Sequence, residues 1–246
     1  MNKKIPKVIN YCWFGGNEFD DKVKKCILSW KRKAPDYKIV QWNETNFDIN
    51  NTPLFVQKAY KAKKWAFVSD FVRLKVIYDN GGVYLDTDVE LLKNLNVLTD
   101  KYACFMGFED AKQVNTGLGF GALPRNPIIY EMLEEYENID FDEGDLGSLS
   151  CPIINTKILK IHGLKTNNKK QKVNDIVILP TEYLCPQNMF TGETNITSNT
   201  VSIHHYNASW MNKKDRLKMH FIISMKKALP PKIVNFLRRT VRKYKK

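Results

Sequence analysis

The chain has 246 residues, about one and a half times a rough 150-residue domain, so it holds one large domain or a domain with an appendage. An apolar content of 43% is enough to bury a core and excludes general disorder. The formal charge of +13 is uneven: residues 211–246 hold 13 basic residues and one acid, Asp215, a net +12, and the first 210 hold 26 against 25, a net +1. The five cysteines are widely spaced and form no C-x-x-C, which argues against a disulfide framework and against a structural zinc site.

Lys7 to Phe14 is a β-rich run that stops at Gly15-Gly16, as a first strand ending in a tight turn does. Asp20 or Asp21 caps a helix with Val23, Ile27 and Trp30 on one face, ended by Ala34-Pro35, and Tyr37 to Trp42 reads as a second strand. Strand, helix, strand favours a βαβ unit in a mixed, mainly parallel sheet. Pro53 opens a short helix. Lys64 to Asn80 carries Phe67, Phe71, Leu74 and Tyr78 at helical spacing and stops at Gly81-Gly82, and Val83 to Val89 reads as a strand leaving that cap. Pro127 starts a helix through Tyr136. Glu131 to Asp145 holds eight acids and no base, a solvated helix face running into a loop. Lys165 to Asp175 reads as a surface loop, and Ile176 to Leu179 and Thr200 to His204 as late strands. The expected class is α/β, with a catalytic body over residues 1–210 and a basic amphipathic helical tail over residues 211–246.

The segment Gly81 to Val89 is the most informative. Along a strand, a period of two puts Tyr84, Asp86 and Asp88 on one side. Two carboxylates so placed can hold one hard divalent cation, Mg²⁺ or Mn²⁺ rather than zinc, whose natural third party is a diphosphate. A pair of solvated loop acids is the plainer reading of D-x-D alone, but acids at a strand's carboxyl end stand where open α/β sheets bind ligands. In the preceding helix Ala66, Asp70 and Arg73 fall on one side and form a polar notch, either an ordinary i, i+3 ion pair or a pair aimed at ligand hydroxyls. His204 and His205 point to opposite faces of a strand, so at most one of them joins a given metal site; a plain core or surface histidine is the alternative.

Together, Ile5-Pro6-Lys7-Val8-Ile9-Asn10-Tyr11-Cys12-Trp13-Phe14-Gly15-Gly16, Ser69-Asp70 with Arg73, Gly81 to Asp88, and His204 to Trp210 resemble the ordered signature of the D-x-D glycosyltransferases of family 32. That family includes capsular-polysaccharide and lipopolysaccharide sugar transferases, and it is similar in its core to the glucosyltransferase domain of the large clostridial toxins. The resemblance implies a GT-A nucleotide-sugar fold, a metal-dependent retaining transfer from a nucleotide-sugar donor, UDP favoured, and a glycan or lipid-linked glycan acceptor. It implies that Cys12 and Trp13 line the base pocket and that Ser69, Asp70 and Arg73 bind ribose and sugar hydroxyls. Tyr84, Asp86, Thr87 and Asp88 would meet the diphosphate, sugar and Mn²⁺ or Mg²⁺, with His204, or its rival His205, as third metal contact. Trp210 would close over the leaving diphosphate, and Asn115-Thr116 would lie near the acceptor and reacting carbon. The chain departs from the family at Ser150-Cys151-Pro152, where Thr-Gly-Pro is usual, and at Asn10, where His is usual. No isolated carboxylate presents itself as a nucleophile, which favours same-face attack with the diphosphate helping to deprotonate the acceptor.

In the tail, Leu217, Phe221, Met225 and Leu229 recur every four residues, Pro230-Pro231 interrupts, and Ile233, Leu237, Val241 and Tyr244 resume the pattern opposite a basic face. This fits an amphipathic helix at an anionic membrane surface, or one folded back on the acidic stretch. A single aromatic among the last ten residues argues against nucleic acid. No signal-peptide pattern or run of about 18 apolar residues occurs, so the expected location is the cytoplasm, peripheral on the inner face of the cell membrane. Two other functions share features with this chain: a D-x-D phosphatase, which wants Thr or Val where Glu90 stands, and a non-catalytic membrane- or RNA-binding protein acting through its tail.

Overall fold

The structure, a computed structural model, describes residues 4–142, 147–189 and 191–206. The tail expected over residues 211–246, the end of the acidic stretch and Trp210 lie outside the described residues. The central sheet is mixed and has strands in the order β2 (Lys38–Trp42), β1 (Val8–Cys12), β3 (Gly82–Tyr84), β7 (Phe120–Ala122), β5 (Cys104–Phe108), β9 (Ile176–Leu179), β8 (Gln171–Val173), with β6 (Val114–Asn115) paired to β5. Pairing is parallel at β1–β2, β1–β3 and β5–β9 and antiparallel elsewhere. A separate two-stranded ribbon joins β4 (Val89–Leu91) to β10 (Ser202–His204).

Strand alternation explains why the sheet is covered on both faces. Cys12, Tyr84, Met106 and Phe108 pack with helices α2 (Leu54–Lys61), α3 (Trp65–Asn80), α5 (Pro127–Glu135) and α6 (Cys151–Ile161). Their neighbours Tyr11, Val83, Leu85 and Phe105 turn the other way, toward α1 (Asp21–Lys33), α4 (Asn96–Thr99) and α7 (Thr181–Leu184). Asp20 caps α1 by accepting from Val23 N–H at 2.9 Å, and Asn126 caps α5 through Ile128 and Ile129 N–H. Gly81 ends α3 at φ 69°, where a Cβ would lie 2.8 Å from Pro124.

Two expected elements take another form, and α4, α6, α7 and β5 to β7 were not among the expected elements. The strand expected from Val83 to Val89 stops at Tyr84, and Asp86 to Val89 form a turn closed by Val89 N–H to Asp86 O at 3.0 Å. Asp and Thr are turn formers, and their local bonding outweighs the apparent alternation. The loop expected from Lys165 to Asp175 contains β8, whose residues pair antiparallel with β9 across the left-handed Asn174. Its Gln171-Lys172 is polar because it is an edge. No helix among the described residues is long and apolar enough to cross a membrane.

Candidate active site

The turn that carries Asp86 and Asp88 is held from both sides. Helix α1 fixes the strand after it: Trp30 Nε1 donates to Val89 O at 2.7 Å, and Ser29 Oγ accepts from Leu91 N–H at 2.9 Å. Before it, Leu85 N–H donates to Asn10 O at 3.0 Å, and Asp86 N–H donates to Gly117 O at 3.3 Å. Strand β10 pairs His204 with Val89, which brings that imidazole over the turn.

Asp86, Asp88 and His204 each offer a ligand atom within 4.8 Å of the others. His204 Nε2 lies 3.1 Å from Asp88 Oδ1, and Nδ1 is buried with no partner among the described residues. Burial alone would lower the His204 pKa, but the carboxylates of Asp88 and Asp86 outweigh it and raise it to about 9. His205 faces away and pairs with Glu90 at 2.9 Å, while its N–H donates to Asp88 O.

Arg73 is buried at the centre. Its Nη2 donates to Asp86 Oδ1 at 2.9 Å, its Nη1 lies 3.1 Å from Asp70 Oδ1 and 3.3 Å from Cys151 Sγ, and its guanidinium stacks 5.1 Å from the Tyr84 ring centre. Tyr84 Oη donates to the same Asp86 oxygen at 2.9 Å. Asp70 accepts from Cys151 N–H, at the start of α6, at 3.3 Å. Burial pushes the Asp70 carboxyl up to about 6 against the pull of Arg73. Asp86 is likewise raised by burial and lowered by Arg73.

Asn115 sits beside this cluster, its Oδ1 accepting from Gly117 N–H at 2.6 Å and from Cys151 Sγ at 3.2 Å. Gly117 is packed so closely that a Cβ there would lie 2.4 Å from Asp86 Oδ2. At the carboxyl end of β1, Cys12 is buried, its thiol pushed up to about 12 by burial, and Trp13 is partly exposed, with Nε1 donating to Asn17 O at 2.7 Å and its ring edge-on to Phe19.

Residues 20–105 match the family described as glycosyltransferase sugar-binding region containing DXD motif. The chain is 24% identical over 226 residues, 88% of each chain, to an uncharacterized glycosyltransferase of Acanthamoeba polyphaga mimivirus. It is 26% identical over 147 residues to human alpha-1,4-N-acetylglucosaminyltransferase, 58% of this chain and 40% of that one. Its fold matches the solved PaToxG glycosyltransferase at a TM-score of 0.56 and 21% identity, over 65% of this chain and 70% of that one. The chain is a glycosyltransferase, similar over residues 20–105 to the DXD-containing group.

This glycosyltransferase has the GT-A type of fold that the resemblance implies. The structure gathers Asp70, Arg73, Tyr84, Asp86, Thr87, Asp88, Asn115 and His204 into one region, with Ser69 on the same helix as Asp70. His205 is turned to Glu90 instead, and Asn10 is occupied internally, accepting from Trp42 Nε1 at 2.9 Å. Sequence reasoning passed over Glu109, Gly117 and Cys151 as site residues. The signals existed: Glu109 ends the apolar run Cys104–Phe108, and Cys151 lies where the chain departs from the Thr-Gly-Pro usual in the family it resembles.

Proposed function

We propose that this glycosyltransferase is metal-dependent and retaining, and moves a sugar from a nucleotide diphosphate, UDP by preference, to a hydroxyl of a glycan or lipid-linked glycan in cell-surface polysaccharide synthesis. The observation that carries the reading is the convergence of Asp86, Asp88 and His204 beside the buried Arg73. Two carboxylates and an imidazole form a donor set that fits Mn²⁺ or Mg²⁺, and the orphaned buried Nδ1 of His204 fits a site built for more than its protein neighbours. Asp86, Asp88 and His204 would hold the ion, which when bound neutralises charge developing on the departing diphosphate.

The chain's own groups divide the remaining work. Arg73 and Tyr84 pin one oxygen of Asp86 and leave the other toward Gly117 and the donor. Asp70, fixed by Arg73 and the start of α6, accepts hydrogen bonds from sugar hydroxyls, with Ser69 beside it. Trp13, half-open and braced by Phe19, offers a stacking face for a base, and Cys12 lies behind it. Retention proceeds by same-face attack, with the acceptor hydroxyl arriving on the side from which the diphosphate leaves.

The +12 segment from residue 211 brings the enzyme to an anionic membrane on its cytoplasmic side, where lipid-linked acceptors reside. A lipid acceptor has a counterpart in the name of a relative, the fission yeast inositol phosphoceramide mannosyltransferase 1, 25% identical over 141 residues and spanned by this chain over 42% of its length. The deciding experiment is a thermal-shift panel of UDP-, GDP- and CMP-sugars with and without Mn²⁺, followed by turnover of Asp88→Asn. Stabilisation by a UDP-sugar only with Mn²⁺, and loss of turnover in the variant, are expected. Full turnover in excess chelator would sink metal dependence, and equal sedimentation of the full chain with neutral and anionic vesicles would sink the membrane role.

A further inference from the structure

Strands β1, β2, β3, β5 and β9 all run one way, because β7 lies antiparallel to both β3 and β5 and the other contacts among the five are parallel. Their carboxyl ends share one edge of the sheet, where ligands bind in such folds. Trp13 follows β1 there and Asp86 follows β3. Glu109 is the equivalent residue after β5, and its N–H donates to Gln113 O at 2.8 Å to close the turn into β6.

The Glu109 carboxylate is half-buried and has no ionic partner among the described residues. Oε1 accepts from Asn115 Nδ2 at 3.0 Å; the other oxygen has no hydrogen-bond partner there. Asn115 cannot turn its amide around, because Oδ1 is already committed to Gly117 N–H and the Cys151 thiol. Asn115 ties Glu109 to the DXD turn, since the same side chain holds Gly117, which packs against Asp86. The other oxygen of Glu109 is not sealed from solvent, so it is open to a donor arriving at this edge of the sheet. The donor that the proposed reaction brings to this edge is a hydroxyl.

We propose that Glu109 accepts the hydrogen bond of the attacking hydroxyl, from a sugar or from water, and so aims it at the reacting carbon of the donor. The proposal rests on the donor site described above. It also accounts for the Glu109–Asn115 bond, which holds the free oxygen in place while Asn115 anchors Gly117 beside Asp86.

The test uses the full-length protein, UDP with Mn²⁺ as binding probe, and hydrolysis of whichever UDP-sugar of a panel the wild type turns over fastest. E109Q is expected to lose tenfold or more in kcat, with the Kd for UDP and the donor KM within twofold of wild type, and formate is expected to restore several-fold activity to E109A. D110N removes a neighbouring charge but keeps a side-chain oxygen to accept from the Lys112 and Gln113 N–H groups, and is expected at wild-type rates. If E109Q does not fold, E109D carries the same test, with the same split of kcat from KM. A kcat for the variant within twofold of wild type overturns the proposal, as does a kcat loss matched by an equal loss of UDP affinity, which marks a structural role. A glycosyl azide formed by E109A in azide overturns it too, since that marks a nucleophile. These three outcomes leave the donor-site reading intact. A wild type that neither binds UDP with Mn²⁺ nor hydrolyses any donor removes that reading and this proposal together.

Discussion

Arg73 Nη2 lies 2.9 Å from Asp86 Oδ1, and this one buried guanidinium ties helix α3 to the DXD turn. As an exposed i, i+3 pair, Arg73 and Asp70 would be worth about 0.2–0.5 kcal/mol. Their side chains are 4% and 11% exposed, so the relevant quantity is the cost of leaving one charge buried alone. That cost is about 3–5 kcal/mol.

Arg73→Met is therefore expected to lower stability by about 3–5 kcal/mol and abolish transfer. Arg73→Lys keeps the charge but loses the fork that reaches Asp70 and Asp86 at once, so it should lose far more activity than stability. Thermal melts beside donor-hydrolysis assays separate the two effects, and wild-type turnover in the Lys variant would remove the fork from the account.

Gly117→Ala places a methyl 2.4 Å from Asp86 Oδ2 and 3.0 Å from Arg73 Nη1. Something must shift, at a cost of about 1–3 kcal/mol by the usual penalty of overpacking. Because the shifted group is Asp86, Mn²⁺ affinity should fall at least tenfold, which titration calorimetry measures directly.

His204 and His205 are adjacent but unequal. His204→Ala should weaken Mn²⁺ binding at least tenfold, whereas His205→Ala loses a partly exposed contact with Glu90, worth no more than about 1 kcal/mol of stability, and should leave Mn²⁺ affinity within twofold. Equal effects of the two substitutions would contradict the geometry.

Asp70 has a carboxyl raised by burial to about 6 from an ordinary 3.8. The folded protein thus binds a proton that the unfolded chain releases between these values, so this group's contribution is greatest below pH 4 and is lost as pH rises through about 6. The change amounts to about 3 kcal/mol. Relative to Asp70→Asn, whose side chain does not titrate, the wild type should lose melting temperature as pH rises from 4 to 7 in chelator. A constant difference across that range would refute the assignment.

Helices α1, α2, α3 and α5 were legible from their own periods, caps or opening prolines, whereas α4, α6 and α7 were not read. Asp20, Asn126 and Gly81 stand at helix ends where local chemistry suffices. The strand after Gly82 was not legible in the same way: Val83 to Val89 alternates as a strand would, yet the peptide of Val89 bonds back to Asp86 and bends the chain. Tyr84 and Asp86 still meet, through a hydrogen bond rather than through a shared strand face. β8 was hidden because a polar edge strand has the composition of a loop.

By itself the sequence determined the α/β class, the ordered motifs of a DXD glycosyltransferase, and the division into a body of net +1 and a segment of net +12. Those are properties of composition, period and order along the chain. Only the tertiary structure decided that His204 rather than His205 faces Asp88, that Arg73 is buried between two carboxylates, and that Glu109 shares their edge of the sheet. Each of these depends on pairing between residues far apart in the chain, β10 with β4, α3 with the DXD turn and β5 with β7, and no local pattern encodes such distances.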